Sequence, residues 1–199
     1  MKNLNIFRLF YRSYLRIIPS FSPSKYDNLI KKYGKENIIL THDCDYRIDG
    51  VQTLVEVEEA NDVKSIFFLR PDAEYFARNI KYFQDLKRLG WTIGYHYSCY
   101  TKTRDENLAL KLFKAQLSYM QRFFQIKCCR AHGDCLYPKD LAKEETNQAW
   151  WCRNKDILPY LKPYDPFLFN TYISDSGHKI KMLWQGSSPI MINFHSDWW

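Results

Sequence analysis

Apolar residues fall into two rhythms along this chain. Short apolar runs at 37–42, 64–69, 91–95, 127–131, 168–173, 180–184 and 190–194 have the length of strands. Between them, apolar positions recur every three or four residues, the spacing of helices with one buried face. Helices are predicted from about Gly50 to Asn61, with Leu54, Val57 and Glu58 on one face. Another runs from Ile80 to Leu89, stopped by Gly90. A long one spans roughly 105–125, with Leu108, Leu112, Tyr119 and Phe123 together, and a short one opens at Pro138 and reaches about Trp150. Strands alternating with helices predict a parallel sheet, and about seven strands in so short a chain predict an α/β fold built as an irregular (β/α) barrel.

Four of the strand runs lead directly into a histidine: His42, His96, His132 and His195. Right-handed crossovers place the C-terminal ends of parallel strands on one side, so all four imidazoles are expected on one rim. That rim is where α/β folds carry their chemistry. Asp43, Asp45, Arg130 and Asp175 occupy equivalent strand-end positions, and the set reads as a metal-assisted active site.

Composition narrows the class. The chain has 199 residues, 46% apolar and 26% charged, which fits one globular unit with a substantial core. Its net charge of +7 is spread along the sequence with no nucleic-acid-binding motif, so no nucleic-acid partner is expected. Cys44, Cys99, Cys128, Cys129, Cys135 and Cys152 form no CxxC pair, and Cys128 and Cys129 would point to opposite faces of a strand. They read as reduced interior residues of a cytoplasmic protein.

The first eighteen residues carry Arg8, Arg12 and Arg16 beside Ile6, Phe10 and Ile17. This is a basic amphipathic helix, neither a signal peptide nor a spanning segment. It has two readings: packing on its own domain, which is preferred, or peripheral contact with the inner-membrane surface. Pro19 and Pro23 end it, leaving residues 1–24 as helix plus linker and 25–199 as the barrel domain.

The densest cluster is Thr41-His-Asp-Cys-Asp45. Two carboxylates at i and i+2 on a strand end can divide the work of metal ligand and base. The structural alternative is an Asp capping the turn that follows. Gly94 precedes His96 closely and permits near approach of another chain or ligand. Arg130-Ala-His-Gly-Asp134 adds a cation and an imidazole. A lone histidine is more often structural than catalytic, but four at one topological level shift that balance. His178, in Ser176-Gly-His-Lys179 between two strands, sits in a hairpin-like turn and receives no role.

Taken in order, these motifs resemble the polysaccharide deacetylase superfamily, and the likeness spans about residues 38–199. Thr41–Asp45 is similar to its first motif, Gly94-Tyr-His96 to the second, Arg130 to the third, Tyr172–Asp175 to the fourth and Asn193-Phe-His195 to the last. His195-Ser-Asp-Trp198-Trp199 resembles the branch associated with bacterial surface-polysaccharide biosynthesis (lipopolysaccharide or capsule). The resemblance implies a metal-dependent hydrolase that removes an acetyl group from an N-acetylated sugar. It implies Asp43 as base supported by Arg130, His195 as general acid with Asp175 orienting a partner, and Asp45 and His96 as ligands of a divalent ion, with Zn²⁺ expected. Arg70, Trp198 and Trp199 are expected to line the substrate cleft.

Two positions depart from the pattern. Tyr100 stands where a second metal-binding histidine is usual, and Cys44 separates the two aspartates. A phenol is a poor ligand at neutral pH because it stays protonated. His132, on the neighbouring strand end, is the expected replacement ligand. The alternative is a catalytically impaired deacetylase-fold protein that acts as a sugar-binding or scaffolding module.

Overall fold

A computed structural model describes residues 22–133, 146–147, 150, 154, 161–164, 171–175, 181–184 and 189–198. The expected basic helix at 1–18, the helix expected from Pro138, Cys135, Cys152, His178 and Trp199 lie outside these residues. The side chain of Trp198 is likewise not described.

In chain order the elements are helix α1 (Pro23–Tyr33), strand β1 (Ile38–Cys44), α2 (Val51–Ala60), β2 (Ile66–Leu69), α3 (Glu74–Arg78), α4 (Ile80–Arg88), β3 (Thr92–Tyr97), α5 (Cys99–Thr103), α6 (Glu106–Gln121), β4 (Cys128–Ala131), β5 (Lys162–Pro163), β6 (Thr171–Ser174), β7 (Lys181–Trp184) and β8 (Ile190–His195). A single sheet joins the strands in the order β5-β4-β3-β2-β1-β8-β6-β7. Every neighbouring pair is parallel except β6 and β7, which run antiparallel. Seven parallel strands therefore make a half-barrel with its helices, and β1 lies near its middle. Among the described residues no pairing joins β5 to β7.

Most of the predicted elements form, with local differences. The sequence pattern treats the strands as uniformly parallel, whereas β7 turns back along β6 and β8 returns to pair with both β6 and β1. The short β5 carries no apolar alternation and has no sequence signal. Pro23 begins α1 rather than extending a linker: at the first helical position its missing N–H costs nothing. In α6 the buried seam is Ala109, Phe113, Leu117 and Met120, while Leu108 is 52% exposed. Helix α6 starts where Asp105 accepts a hydrogen bond from the Leu108 backbone N–H at 2.8 Å.

Strand alternation sorts the buried residues into two layers. Leu40, Phe67, Leu69, Ile93, Tyr95, Tyr97, Cys129, Ile192 and Phe194 join the helices in one hydrophobic core. Thr41, Asp43, Phe68, Gly94, His96, Cys128, Arg130, Asn193 and His195 occupy the alternate positions and face into the half-barrel. Cys128 and Cys129 are buried and on opposite faces, as the alternation requires.

The same alternation removes His42 from the rim. Its ring enters the outer layer, where Nε2 lies 2.6 Å from Glu58 Oε1. Glu58 is fully buried and also accepts from the Tyr26 hydroxyl at 2.7 Å, Ser65 Oγ at 3.0 Å and Trp91 Nε1 at 2.5 Å. This network ties α1, α2 and β3 to β1, and supplies a buried carboxylate with the donors it needs. The expected convergence of four imidazoles is thus reduced to three.

Gly94 is required by packing rather than by a ligand. A β-carbon there would stand 2.5 Å from the Phe68 ring and 3.0 Å from Cys128 Sγ, both inside the half-barrel. Gly94→Ala is expected to destabilise the fold by about 1–3 kcal/mol through overpacking. A thermal melt unchanged from wild type would contradict this role.

Candidate active site

Strand β1 delivers two carboxylates to the interior because Asp43 and Asp45 are two residues apart. Around Asp45 gather the imidazoles of β3 and of the end of β4. Its Oδ1 lies 3.1 Å from His96 Nε2 and 3.4 Å from His132 Nε2. Potential ligand atoms of these three residues all lie within 4.8 Å of one another.

The state of His96 follows from its other nitrogen. Nδ1 is 3.1 Å from the Arg130 backbone carbonyl, which only accepts, so Nδ1 carries the proton. In the neutral ring the lone pair of Nε2 then faces Asp45 Oδ1, a buried oxygen that takes no hydrogen bond. Two acceptors face to face need a cation or a proton between them. One carboxylate, two imidazoles and a second-layer carbonyl orienting one ring form the donor set of a zinc-type site. The residues present fit a divalent ion.

His132 is also held by Arg70, whose Nη1 lies 3.1 Å from the same Nε2. Arg70 is buried, and its Nη2 contacts Asp72 Oδ2 at 3.1 Å. Lys102 pairs with that Asp72 oxygen as well. The guanidinium expected to line a substrate cleft is therefore directed at His132 and Asp72. Burial of Arg70 opposes its charge, but Asp72 and Asp45 outweigh that and hold its pKa above the usual arginine value.

Asp43 sits in a second, tighter network. Its Oδ1 is 3.4 Å from Arg130 Nε, and its Oδ2 accepts from Asn193 Nδ2 at 3.0 Å. Asn193 Oδ1 in turn accepts from Arg130 Nη1 at 2.9 Å and Thr41 Oγ1 at 2.9 Å. With two donors on its oxygen and a carboxylate at its nitrogen, the amide has one consistent orientation. Arg130 Nη2 donates to the Tyr172 hydroxyl at 2.7 Å, so the guanidinium is held from β1, β6 and β8 together. Burial raises the Asp43 pKa, but Arg130, His96 and His195 override it, and the net shift is downward. Asp43 is an anion at neutral pH.

Opposite lies an Asp–His pair. Asp175 Oδ1 is 2.6 Å from His195 Nδ1, and its carboxylate also accepts the His195 backbone N–H at 3.0 Å. His195 Nε2 lies 3.7 Å from Asp43 Oδ2 and 4.0 Å from Asp45 Oδ2. Burial lowers the imidazole pKa, yet Asp175, Asp45 and Asp43 lift it to about 10. The ring is a protonated donor aimed at the two carboxylates.

One anionic carboxylate, one imidazolium and a cation-ready cluster on a single interior face are groups that general acid–base and metal-assisted chemistry can use. No family model matches the sequence, and no curated protein matches it. Among solved structures, the catalytic domain of a peptidoglycan N-acetylglucosamine deacetylase from Eubacterium rectale superimposes with a TM-score of 0.54 at 15% identity, covering 82% of this chain and 77% of that one. A second peptidoglycan N-acetylglucosamine deacetylase, Bc1960, solved with an N-hydroxybenzamide derivative, gives 0.52 at 16% identity over 88% and 81%. A family 4 carbohydrate esterase from Bacillus anthracis overlaps more loosely, at 0.44. This chain has the polysaccharide deacetylase fold.

Within that fold, the interior brings together Asp43, Asp45, His96, Arg130, His132, Asp175 and His195, all anticipated from strand-end positions. Tyr100 is elsewhere: it is the second residue of α5, packs beside the hydrophobic core, and donates its backbone N–H to Asn147 Oδ1 at 3.0 Å. Asn147 also donates to the His132 carbonyl at 3.0 Å, fixing the segment that presents His132.

Asn193, Thr41, Tyr172 and Asp197 also join the site, without a role predicted from the strand-end pattern. Asn193 and Thr41 could have been found by counting in twos from His195 and Asp43. Asp197 had no such signal. Its carboxylate accepts the backbone N–H groups of Tyr46 and Arg47, at 3.1 and 2.5 Å, and so clamps the loop after Asp45 to the turn Ser196–Trp198. Burial first, then the nearby Asp45, raises its pKa to about 7.

Asn193→Ala leaves Asp43, Arg130 and Thr41 each short of a partner in the interior. We expect a loss of about 1–3 kcal/mol in unfolding free energy. Chemical denaturation giving the wild-type midpoint would contradict the network.

Proposed function

We propose that this protein is a metal-dependent hydrolase that removes the acetyl group from an N-acetylated sugar. The observation that carries the reading is the division of labour around β1. Asp43 is held anionic by Arg130 and Asn193, His195 is held protonated by Asp175, and Asp45 stands between two imidazole nitrogens. The fold it shares with two peptidoglycan N-acetylglucosamine deacetylases supports this choice of reaction class.

Asp45, His96 and His132 would hold the ion, with Zn²⁺ the natural occupant of an Asp/His/His set. Such an ion polarises the acetamide carbonyl and acidifies water beside it. Asp43 takes the proton of the attacking water as base, and its anionic state at neutral pH is what that role needs. His195 gives its Nε2 proton to the departing amine nitrogen, while Asp175 keeps the ring oriented and charged. Acetate and a free amino sugar leave. The finer assignment is to bacterial surface-polysaccharide biosynthesis in the cytoplasm, following the His195-Ser-Asp-Trp198-Trp199 pattern. No described helix is long and apolar enough to cross a membrane.

A second reading rests on one contact. Arg70 donates to the His132 nitrogen that a metal would need, and brings a positive charge to the site. A chain that keeps this contact would bind sugar without hydrolysing it.

Purified protein supplied with Zn²⁺ is expected to release acetate from N-acetylglucosamine oligosaccharides, and to lose that activity on chelation. His195→Ala should lower kcat by about 10²–10⁴-fold. No acetate release from wild type, with sugar binding intact, would select the non-hydrolytic reading. Metal affinity discriminates further: His132→Ala should weaken Zn²⁺ binding, and Arg70→Gln should strengthen it by freeing Nε2. Equal affinity in wild type and His132→Ala would remove His132 from the ligand set.

A further inference from the structure

Tyr46 is 57% exposed, while its sequence neighbour Asp45 is buried at the cation-ready cluster. An aromatic ring in water next to a polar site is a surface the fold does not need for its own core, since the hydrophobic core excludes Tyr46. Its position is not loose. The Tyr46 backbone N–H is fixed by Asp197, the next residue's guanidinium Nη2 donates to the Asp197 carbonyl at 2.7 Å, and Ser196 Oγ donates to the Arg47 carbonyl at 2.6 Å. The Arg70 guanidinium lies 5.3 Å from the ring centroid, a cation–π contact from a buried side chain. The His132 ring meets it at 6.4 Å, edge to face. The ring thus touches Arg70 and His132, a residue of the ligand set, while more than half of Tyr46 stays in contact with solvent.

We propose that Tyr46 is the stacking platform of a sugar subsite, taking the apolar face of a pyranose ring whose 2-acetamido group projects toward Asp43 and Asp45. The inference rests on the deacetylase reading and adds to it the residue that positions the substrate. Pyranose rings carry an axial C–H face that packs on aromatic rings, and a ring already fixed in place surrenders little freedom on binding. Because the ring meets His132, whose Nε2 lies 3.4 Å from Asp45 Oδ1, a sugar lying on it would sit beside the reacting groups. The phenol hydroxyl is not needed for this contact, so the ring and not the oxygen is what matters.

The test is calorimetric titration of chitotetraose into Zn²⁺-loaded protein carrying His195→Ala to prevent turnover, alone and with Tyr46→Ala or Tyr46→Phe. Zn²⁺ affinity is measured in parallel on each. Tyr46→Ala is expected to weaken the oligosaccharide about tenfold, the size of one aromatic stacking contact. Tyr46→Phe should bind like its parent, and Zn²⁺ affinity should not move in either. Equal chitotetraose affinity in Tyr46→Ala and its parent overturns the platform while leaving the deacetylase reading standing. No chitotetraose binding by the parent protein overturns both. A loss in Tyr46→Ala matched by an equal loss of Zn²⁺ affinity also overturns it, since Tyr46 would then be supporting the metal ligands.

Discussion

The two-residue period of the parallel strands is the constraint on which everything else in this molecule depends. In β1 it sends Thr41, Asp43 and Asp45 into the half-barrel and His42 and Cys44 into the helix-facing core. A strand buried on both faces would ordinarily be apolar throughout. Here each face must satisfy buried charge, and each does so in its own way. On the outer face, Glu58 collects four donors. On the inner face, Asp43 is met by Arg130 and Asn193.

The inner network couples stability to chemistry. Arg130 reaches Thr41, Asn193 and Tyr172, so the guanidinium that keeps Asp43 ionised also cross-links β1, β4, β6 and β8. Removing any member exposes a buried group to an unmet demand for a hydrogen bond. The Asp175–His195 pair works by the same logic with opposite sign: a carboxylate excluded from water holds its neighbour's proton. The site consequently contains an anion and a cation whose pKa values have been pushed apart, as the proposed base and acid would require.

Much of this was legible in the sequence because strand ends are visible as apolar runs closing on polar residues. The (β/α) architecture, the rim, and seven of its charged or imidazole residues could be read that way. What failed to show was lateral. Nothing in Lys162–Pro163 signals a strand, and nothing in the β6 and β7 runs tells parallel from antiparallel pairing. His42 stands at the rim by its position along the strand, but the alternation of faces turns its ring outward to Glu58. Asn193 was hidden for the reverse reason: it looks like one polar residue in an apolar strand until the network it completes is known. Asp197 lies beyond the strand altogether, where no periodicity applies.

His132 matters most to the proposed reading, in which it takes the place of a ligand the sequence lacks at Tyr100. Its nitrogen is shared between Asp45 and Arg70, so two states of the site compete for it. The most direct measurement is anomalous diffraction from crystals of the protein soaked with Zn²⁺. The account predicts a single strong zinc peak bounded by Asp45, His96 and His132, with Arg70 drawn away from His132. A peak bounded by other residues, or an empty cluster with Arg70 still on His132 at saturating zinc, would contradict it.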